Sequence, residues 1–255
     1  MDIIKSLKNI TSKKEFKSQL IDLIFKEAKN KEETKGLPYI QIPEGLTTID
    51  KYAFSCFVYG LNDIIGIILP NTFKYIPNGF IEYCYKLKYI HMPKLVNYIG
   101  DNSFKNNINL KEIKLSDSIT SIGDAAFNNC AKLKEFYISN KIKVIENKCF
   151  ENCKRLKKID IPNSVKKIGN CSFGDCISLE EVILHDNLEY IGDYAFNNCE
   201  FLKYIFIPNS VTSIGECAFF NCKSLTSITI PKKFETDLSD IFYQVDLSKI
   251  KITYT

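Results

Sequence analysis

The sequence predicts a right-handed, curved solenoid of short parallel strands joined by short helical turns, an α/β class dominated by strands. Two observations support this prediction. Nearly the same sixteen residues, IPNSVKKIGNCSFGDC and IPNSVTSIGECAFFNC, begin at Ile161 and Ile207, and a looser copy begins midway at Leu184. The apolar residues also return at fixed positions every 23 residues, which is typical of stacked repeats rather than of one large core.

Nine units of this pattern cover residues 37–246, and the first is four residues longer than the others. Their leading residues are Leu37, Ile64, Leu87, Leu110, Leu133, Leu156, Leu179, Leu202 and Leu225. In the unit of Leu156, that residue alternates with Ile159 and Ile161 like a strand with one buried face, and Pro162 ends the strand. A unit this small cannot enclose its own apolar side chains, so the units must stack, with strands about 4.8 Å apart.

Both ends of the chain lie outside the nine units. Residues 1–36 show helical apolar spacing and predict an N-terminal cap over the open end of the stack. The alternative is a helix that binds a partner or a membrane surface, and its mixed charges disfavour the membrane. Residues 247–255 repeat the opening of a unit and predict a closing strand, whose Lys249 and Lys251 discourage edge-to-edge aggregation.

Composition and charge restrict the possible partners and locations. A net charge of +4 without a block of basic residues does not indicate a nucleic-acid-binding protein. The N-terminus lacks the apolar stretch of a secretory signal, and the longest apolar run, Ile64 to Leu69, is too short to cross a bilayer. We therefore expect a monomer in the cytoplasm. The alternative is a surface protein exported by a non-classical route.

Six of the ten cysteines share one position in the repeat: Cys84, Cys130, Cys153, Cys176, Cys199 and Cys222. They predict a ladder of small apolar side chains along the interior. A zinc site is disfavoured, because pairs such as Cys171 and Cys176 lack the usual close spacing and no histidine lies near them. Disulfides between stacked units are geometrically possible, but reduced thiols are expected inside the cell.

The sequence offers no constellation for catalysis. Its two histidines, His91 and His185, lie four units apart, or roughly 19 Å by strand spacing. No glycine-rich phosphate loop, GxSxG elbow or HExxH motif is present. We therefore expect no enzymatic activity, no cofactor and no metal.

The full unit, LxxIxIPxSVxxIGxxAFxxCxx, resembles the BspA-like leucine-rich repeats and covers about 215 of the 255 residues. This resemblance implies a leucine-rich-repeat solenoid that binds proteins. Members of the family occur in bacteria, parasitic protists and large DNA viruses, and some resemble surface adhesins. The family has no shared catalytic residues to transfer.

In such a solenoid the strands line the concave face, and their outward positions vary between units. We predict that a protein partner binds at six of these outward residues, most of which are aromatic: Tyr89, His91, Tyr137, Ile183, Tyr204 and Phe206. The alternative is that strand positions favour aromatic residues anyway and that neighbours cover them. A row of lysines beside them is interspersed with acidic residues, which favours a salt-bridged face over a nucleic-acid site. The first hypothesis is therefore a protein-binding scaffold, and the alternative is an adhesin that contacts host protein or matrix.

Overall fold

The computed structural model describes residues 39–42, 44–55 and 63–255, so the predicted cap over residues 1–36 lies outside the described residues. Every strand pair in the described chain is parallel. The strands are β1 (Tyr39–Gln41), β2 (Gly66–Ile68), β3 (Tyr75–Ile76), β4 (Tyr89–His91), β5 (Tyr98–Ile99), β6 (Glu112–Ile113), β7 (Ser121–Ile122), β8 (Val144–Ile145), β9 (Lys158–Asp160), β10 (Lys167–Ile168), β11 (Glu181–Ile183), β12 (Tyr190–Ile191), β13 (Tyr204–Phe206), β14 (Ser213–Ile214), β15 (Ser227–Ile230) and β16 (Lys251–Tyr254).

The strands form two sets that run along the stack. The first strand of each unit belongs to the first sheet, which consists of β1-β2-β4-β6, β9-β11 and β13-β15-β16. The second strand belongs to the second sheet, which consists of β3-β5-β7 and β8-β10-β12-β14. Paired residues occupy equivalent repeat positions, as Lys158 and Glu181 do. The predicted solenoid is therefore confirmed.

The third side of each unit consists of tight turns instead of strands. Two residues of a typical unit adopt the left-handed conformation there, such as Cys171 with φ 54° and Asp175 with φ 57°. Asparagine and aspartate tolerate this conformation best, and they occupy most of the second of these positions. The predicted helical turns thus take the form of left-handed turns. Among the described residues, helix is confined to the C-terminal region, in the 3₁₀ helix η1 (Lys232–Asp237), helix α1 (Leu238–Ile241) and the 3₁₀ helix η2 (Leu247–Lys249).

A stack of phenylalanine rings fills the interior behind these turns. Seven rings from Phe104 to Phe242 lie in successive units, with neighbouring centroids 5.1–5.6 Å apart and planes within 21° of parallel. Phe80 breaks the pattern because it stands one position early, where other units have serine, alanine or cysteine, and Ile81 takes the position of the stacked ring. Its ring meets Phe54 and Phe104 edge-on instead. Offset stacking and edge-to-face contacts both stabilise buried aromatic rings, so the stack continues through the irregular unit.

The ladder of backbone hydrogen bonds opens around the unit of Leu133. Both sheets are interrupted between this unit and the one before it. The bond from Lys134 N to Lys111 O is 3.4 Å long and that from Lys157 N to Lys134 O is 3.5 Å, whereas Glu180 N lies 2.8 Å from Lys157 O. Within the described chain, residues 135–138 form no backbone hydrogen bond at all. Their N–H and C=O groups therefore depend on water or on a ligand.

Two departures from the repeat explain this opening. Glu146 stands where five other units have glycine. A Cβ added at the equivalent Gly123 would lie 2.6 Å from the backbone nitrogen of Asp101 in the preceding unit. The Cβ of Glu146 therefore requires its unit to move away from the preceding one. Phe136 stands where the neighbouring units have isoleucine, and its ring packs edge-on against Phe127 and Phe150 at 4.8 and 4.6 Å.

The turn side stays closed across the same junction. Ala125 N donates to Asn147 O and Phe127 N donates to Cys149 O, both at 2.9 Å. Asn147 N also donates to Asp124 Oδ1 at 2.9 Å. The two units are thus held together on the turn side while their strands part.

The phenylalanine stack leads to a test of stability. We expect Phe173→Ala to reduce the free energy of unfolding by about 3–5 kcal/mol, because Phe173 is fully buried between two stacked rings. The control Phe201→Ala, at a ring that is 54% exposed, should change it by less than about 0.5 kcal/mol. Urea denaturation curves of the two variants measure both values. Equal losses in the two variants would contradict the role of the stack.

Candidate protein-binding face

The outward side chains of the first sheet form one surface, here termed the strand face. It comprises the second and fourth positions after each leading residue. Alternation along the strands separates this surface from the core: in β4, β9 and β13 the middle residue is buried and the residues on either side are exposed. The strand face is therefore built on a packed interior, and its side chains vary while the buried ones repeat.

The six predicted site residues all lie on this face, but they do not form one cluster. Ile183, Tyr204 and Phe206 lie in adjacent units, where Ile183 is half-buried and the two rings are 45% and 46% exposed. Tyr89 and His91 are exposed on β4, five units from Tyr204, or roughly 24 Å by strand spacing. Tyr137 lies between these two groups and is 56% exposed.

Ion pairs and a histidine–carboxylate hydrogen bond lie on and beside the C-terminal part of the strand face. Lys158 Nζ lies 2.9 Å from Glu181 Oε1, and His185 Nε2 lies 2.9 Å from Asp160 Oδ1. Glu180 pairs with Lys203 at 3.4 Å and with Lys157 at 3.6 Å, and the hydrogen bond from Lys203 is the main cause that lowers the pKa of its carboxyl. The expected salt bridges thus form in this half. Lys88, Lys111 and Lys134 have no ion pair in the described part of the chain.

A groove with a volume of about 610 Å³ opens in the strand face where the ladder is interrupted. Its lining residues are Glu112, Ile113, Lys114, Leu115, Glu135, Phe136, Tyr137, Lys158 and Asp160. Of these residues, the repeat pattern predicted only Tyr137 as a site residue. The signal that could have located the groove is the pair of departures from the repeat, Phe136 and Glu146, since both fall in the one unit whose first strand is missing.

The cysteine ladder is structural. The thiols of Cys130, Cys153, Cys176, Cys199 and Cys222 are buried, and each donates to the carbonyl oxygen of a phenylalanine in the preceding unit at 3.2–3.4 Å. Where a unit lacks this cysteine, the buried Asn107 donates to Ile81 O at 2.7 Å instead. Burial raises the pKa of all five thiols, that of Cys222 to about 12.

The expectation of reduced thiols needs one correction. Eight cysteines of the described chain are free, but Cys84 is disulfide-bonded. The ladder of free thiols therefore begins at Cys130 rather than at Cys84. A disulfide forms only where the fold places the Cα atoms of two cysteines within bonding range, and the spacing along the sequence does not show that distance.

Neither a metal centre nor a membrane span is apparent within residues 39–42, 44–55 and 63–255. No three histidine, cysteine, aspartate or glutamate side chains of these ranges are arranged to hold a metal ion. None of the helices there has the length and apolar character to cross a membrane.

The family model of the BspA type leucine-rich repeat region matches residues 28–157 and 143–255 of this chain, with six copies of the repeat. The chain belongs to this family. The match covers more than half of the chain and includes every unit that contributes to the strand face. A comparison of the sequence with curated proteins found no significant match.

Solved structures of leucine-rich repeat proteins share the fold. A protein from Bacteroides ovatus ATCC 8483 is 27% identical with a TM-score of 0.61, over 85% of this chain and 59% of its own. A leucine rich cell surface protein from Faecalibacterium prausnitzii A2-165 is 24% identical with a TM-score of 0.51, over 84% and 65%. A leucine-rich repeat protein of T. pallidum is 21% identical with a TM-score of 0.56, over 87% and 88%.

The alignment with the first two of these structures covers only part of their chains. This chain spans less than two thirds of the length of the Bacteroides and Faecalibacterium proteins. The comparison therefore shows the shared repeat fold, and the activity of those whole proteins is a separate matter.

The cysteine ladder leads to a test of thiol reactivity. At pH 8 we expect the five ladder thiols to react with Ellman's reagent only on unfolding, because burial keeps them protonated and inaccessible. Cys171 is half-buried, so it should react in the folded protein, although more slowly than a free thiol because burial also raises its pKa. The variant Cys171→Ser should therefore remove one equivalent from the reaction of the folded protein. Reaction of ladder thiols in the folded protein would show that the interior is not closed.

Proposed function

We propose that the chain is a non-enzymatic scaffold that binds a protein partner through the strand face, the face expected to be concave. The observation that supports this most directly is the group formed by Ile183, Tyr204 and Phe206. These side chains lie in adjacent units, on strands β11 and β13, and point away from the packed core. Aromatic side chains in such positions are enriched at the centres of protein interfaces.

The alternative that neighbouring side chains cover these rings does not fit the strand register. Tyr204 pairs with Ser227 and Phe206 with Thr229, so the next unit places small residues beside both rings. The rings remain almost half exposed as a result. An exposed aromatic pair on a strand contributes little to folding, whereas burial against a partner would remove its apolar area from water.

The scaffold role also agrees with the way the repeat distributes its residues. The buried positions repeat nearly the same side chains in every unit, whereas the strand face changes from unit to unit. A partner that contacts several units would therefore recognise a combination of side chains held at a fixed spacing. Such a rigid surface loses little conformational entropy when a partner binds.

The proposal leads to a capture experiment with a matched control. Wild-type protein and the variant Tyr89→Ala, Tyr137→Ala, Tyr204→Ala, Phe206→Ala would be used to capture proteins from a lysate of the source cells, with quantitative mass spectrometry as the readout. We expect at least one protein to be captured by the wild type and to fall about tenfold or more with the variant, because interface aromatics often contribute 2 kcal/mol or more.

The control variant removes four exposed aromatic rings that lie off the strand face: Tyr85, Tyr194, Phe201 and Tyr243. It should retain the captured protein. Equal losses in both variants would show that capture depends on general surface hydrophobicity, and retention by both would place the binding surface elsewhere. Either result would contradict the proposal.

A further inference from the structure

The groove at the unit of Leu133 has an apolar floor that lies beside unpaired backbone groups. The open ladder leaves residues 135–138 without backbone hydrogen bonds, and the groove follows this opening. Ile113, Leu115 and Phe136 supply an apolar floor. A floor of this kind suits an apolar side chain, and the unpaired backbone groups beside it suit an extended peptide.

The charges around the groove are also distinctive. Glu112 and Glu135 occupy the same position in adjacent units, and both are exposed. Among the described units this is the one place in that row of the strand face where like charges are neighbours. Lys158, the other neighbour of Glu135, instead pairs with Glu181 at 2.9 Å. The two carboxylates have no ion-pair partner in the described chain.

Neighbouring like charges on a sheet are destabilising, and a cation placed between them removes the repulsion. The exposed ring of Tyr137 in the same groove offers a further contact for a cation. Asp160 adds a third carboxylate to the lining, where it already accepts a hydrogen bond from His185. Two lysines line the groove. Lys158 pairs with Glu181, whereas Lys114 has no ion pair in the described part of the chain.

From this geometry we propose that the groove binds an extended peptide segment in which a lysine or arginine alternates with a large apolar side chain. The cation lies between Glu112 and Glu135, and the apolar side chain lies on the floor beside Phe136. This inference rests on the proposed function, since the segment would belong to the protein partner. It adds the chemistry of the segment and the residues that select it.

Three fluorescein-labelled peptides of equal length test the inference by fluorescence anisotropy at physiological salt. The probe GSKLKLKSG carries both required features, GSELELESG reverses the charge, and GSKSKSKSG removes the apolar side chains. We expect the first probe to bind at least about fivefold more tightly than each of the others, a difference that one or two exposed ion pairs can produce. No saturable binding, or equal binding of all three, would overturn the inference.

Variants then locate the binding on the protein. Glu112→Gln with Glu135→Gln should weaken the first probe about fivefold. The control Glu216→Gln with Glu235→Gln removes two exposed carboxylates elsewhere and should leave binding within about twofold. The double variant Phe136→Ile, Glu146→Gly restores the residues of the neighbouring units, should close the groove and should remove the preference for leucine. Equal losses in the two glutamate variants, or an unchanged leucine preference, would overturn the inference.

One further variant separates this inference from the proposed function. Tyr204→Ala with Phe206→Ala lies three units from Glu135 and Phe136 and should leave binding of the first probe unchanged. If the strand face captures a protein but the probe does not bind, the groove inference fails and the proposed function stands. If the probe binds the groove but no protein depends on the strand face, the proposed function fails.

Discussion

A unit of 23 residues cannot enclose its own apolar side chains, and the rest of the structure follows from this constraint. Each buried group must find its partner at the equivalent position of the next unit. The phenylalanines therefore stack ring on ring at 5.1–5.6 Å, and the thiol of each ladder cysteine reaches back to a carbonyl of the preceding unit. Stability is shared between neighbours, so a change in one unit acts first on the junctions that flank it.

The same constraint explains why departures from the repeat change the surface. Inward positions are fixed by their partners above and below, whereas outward positions are free to vary. Glu146 is the most consequential departure, because its Cβ takes the space that a glycine leaves for the preceding backbone. Burial and the negative charge of Asp124 raise the pKa of its carboxyl. The open ladder and the groove are the results.

Much of this architecture could be predicted from the sequence because the repeat is so regular. The inward residues, the parallel strands and the cysteine ladder all follow from the spacing of apolar side chains. The groove could not be predicted, because its cause is a distance of a few ångströms between the backbones of adjacent units. The partners of the ion pairs could not be predicted either. Lys157 and Lys203 both pair with Glu180, which occupies the same position of its unit as these lysines and not the next position, where most of the acidic residues lie.

The most direct test is amide hydrogen exchange at Lys143 compared with its equivalent Lys166, whose N–H donates to Lys143 O of the preceding unit at 2.9 Å. We predict fast exchange at Lys143, which donates no such bond to the unit before it, and slow exchange at Lys166 in the wild type. In the double variant Phe136→Ile, Glu146→Gly, which restores the residues of the neighbouring units, both amides should exchange slowly. Equal protection of the two amides in the wild type would contradict the claim that these two residues open the ladder.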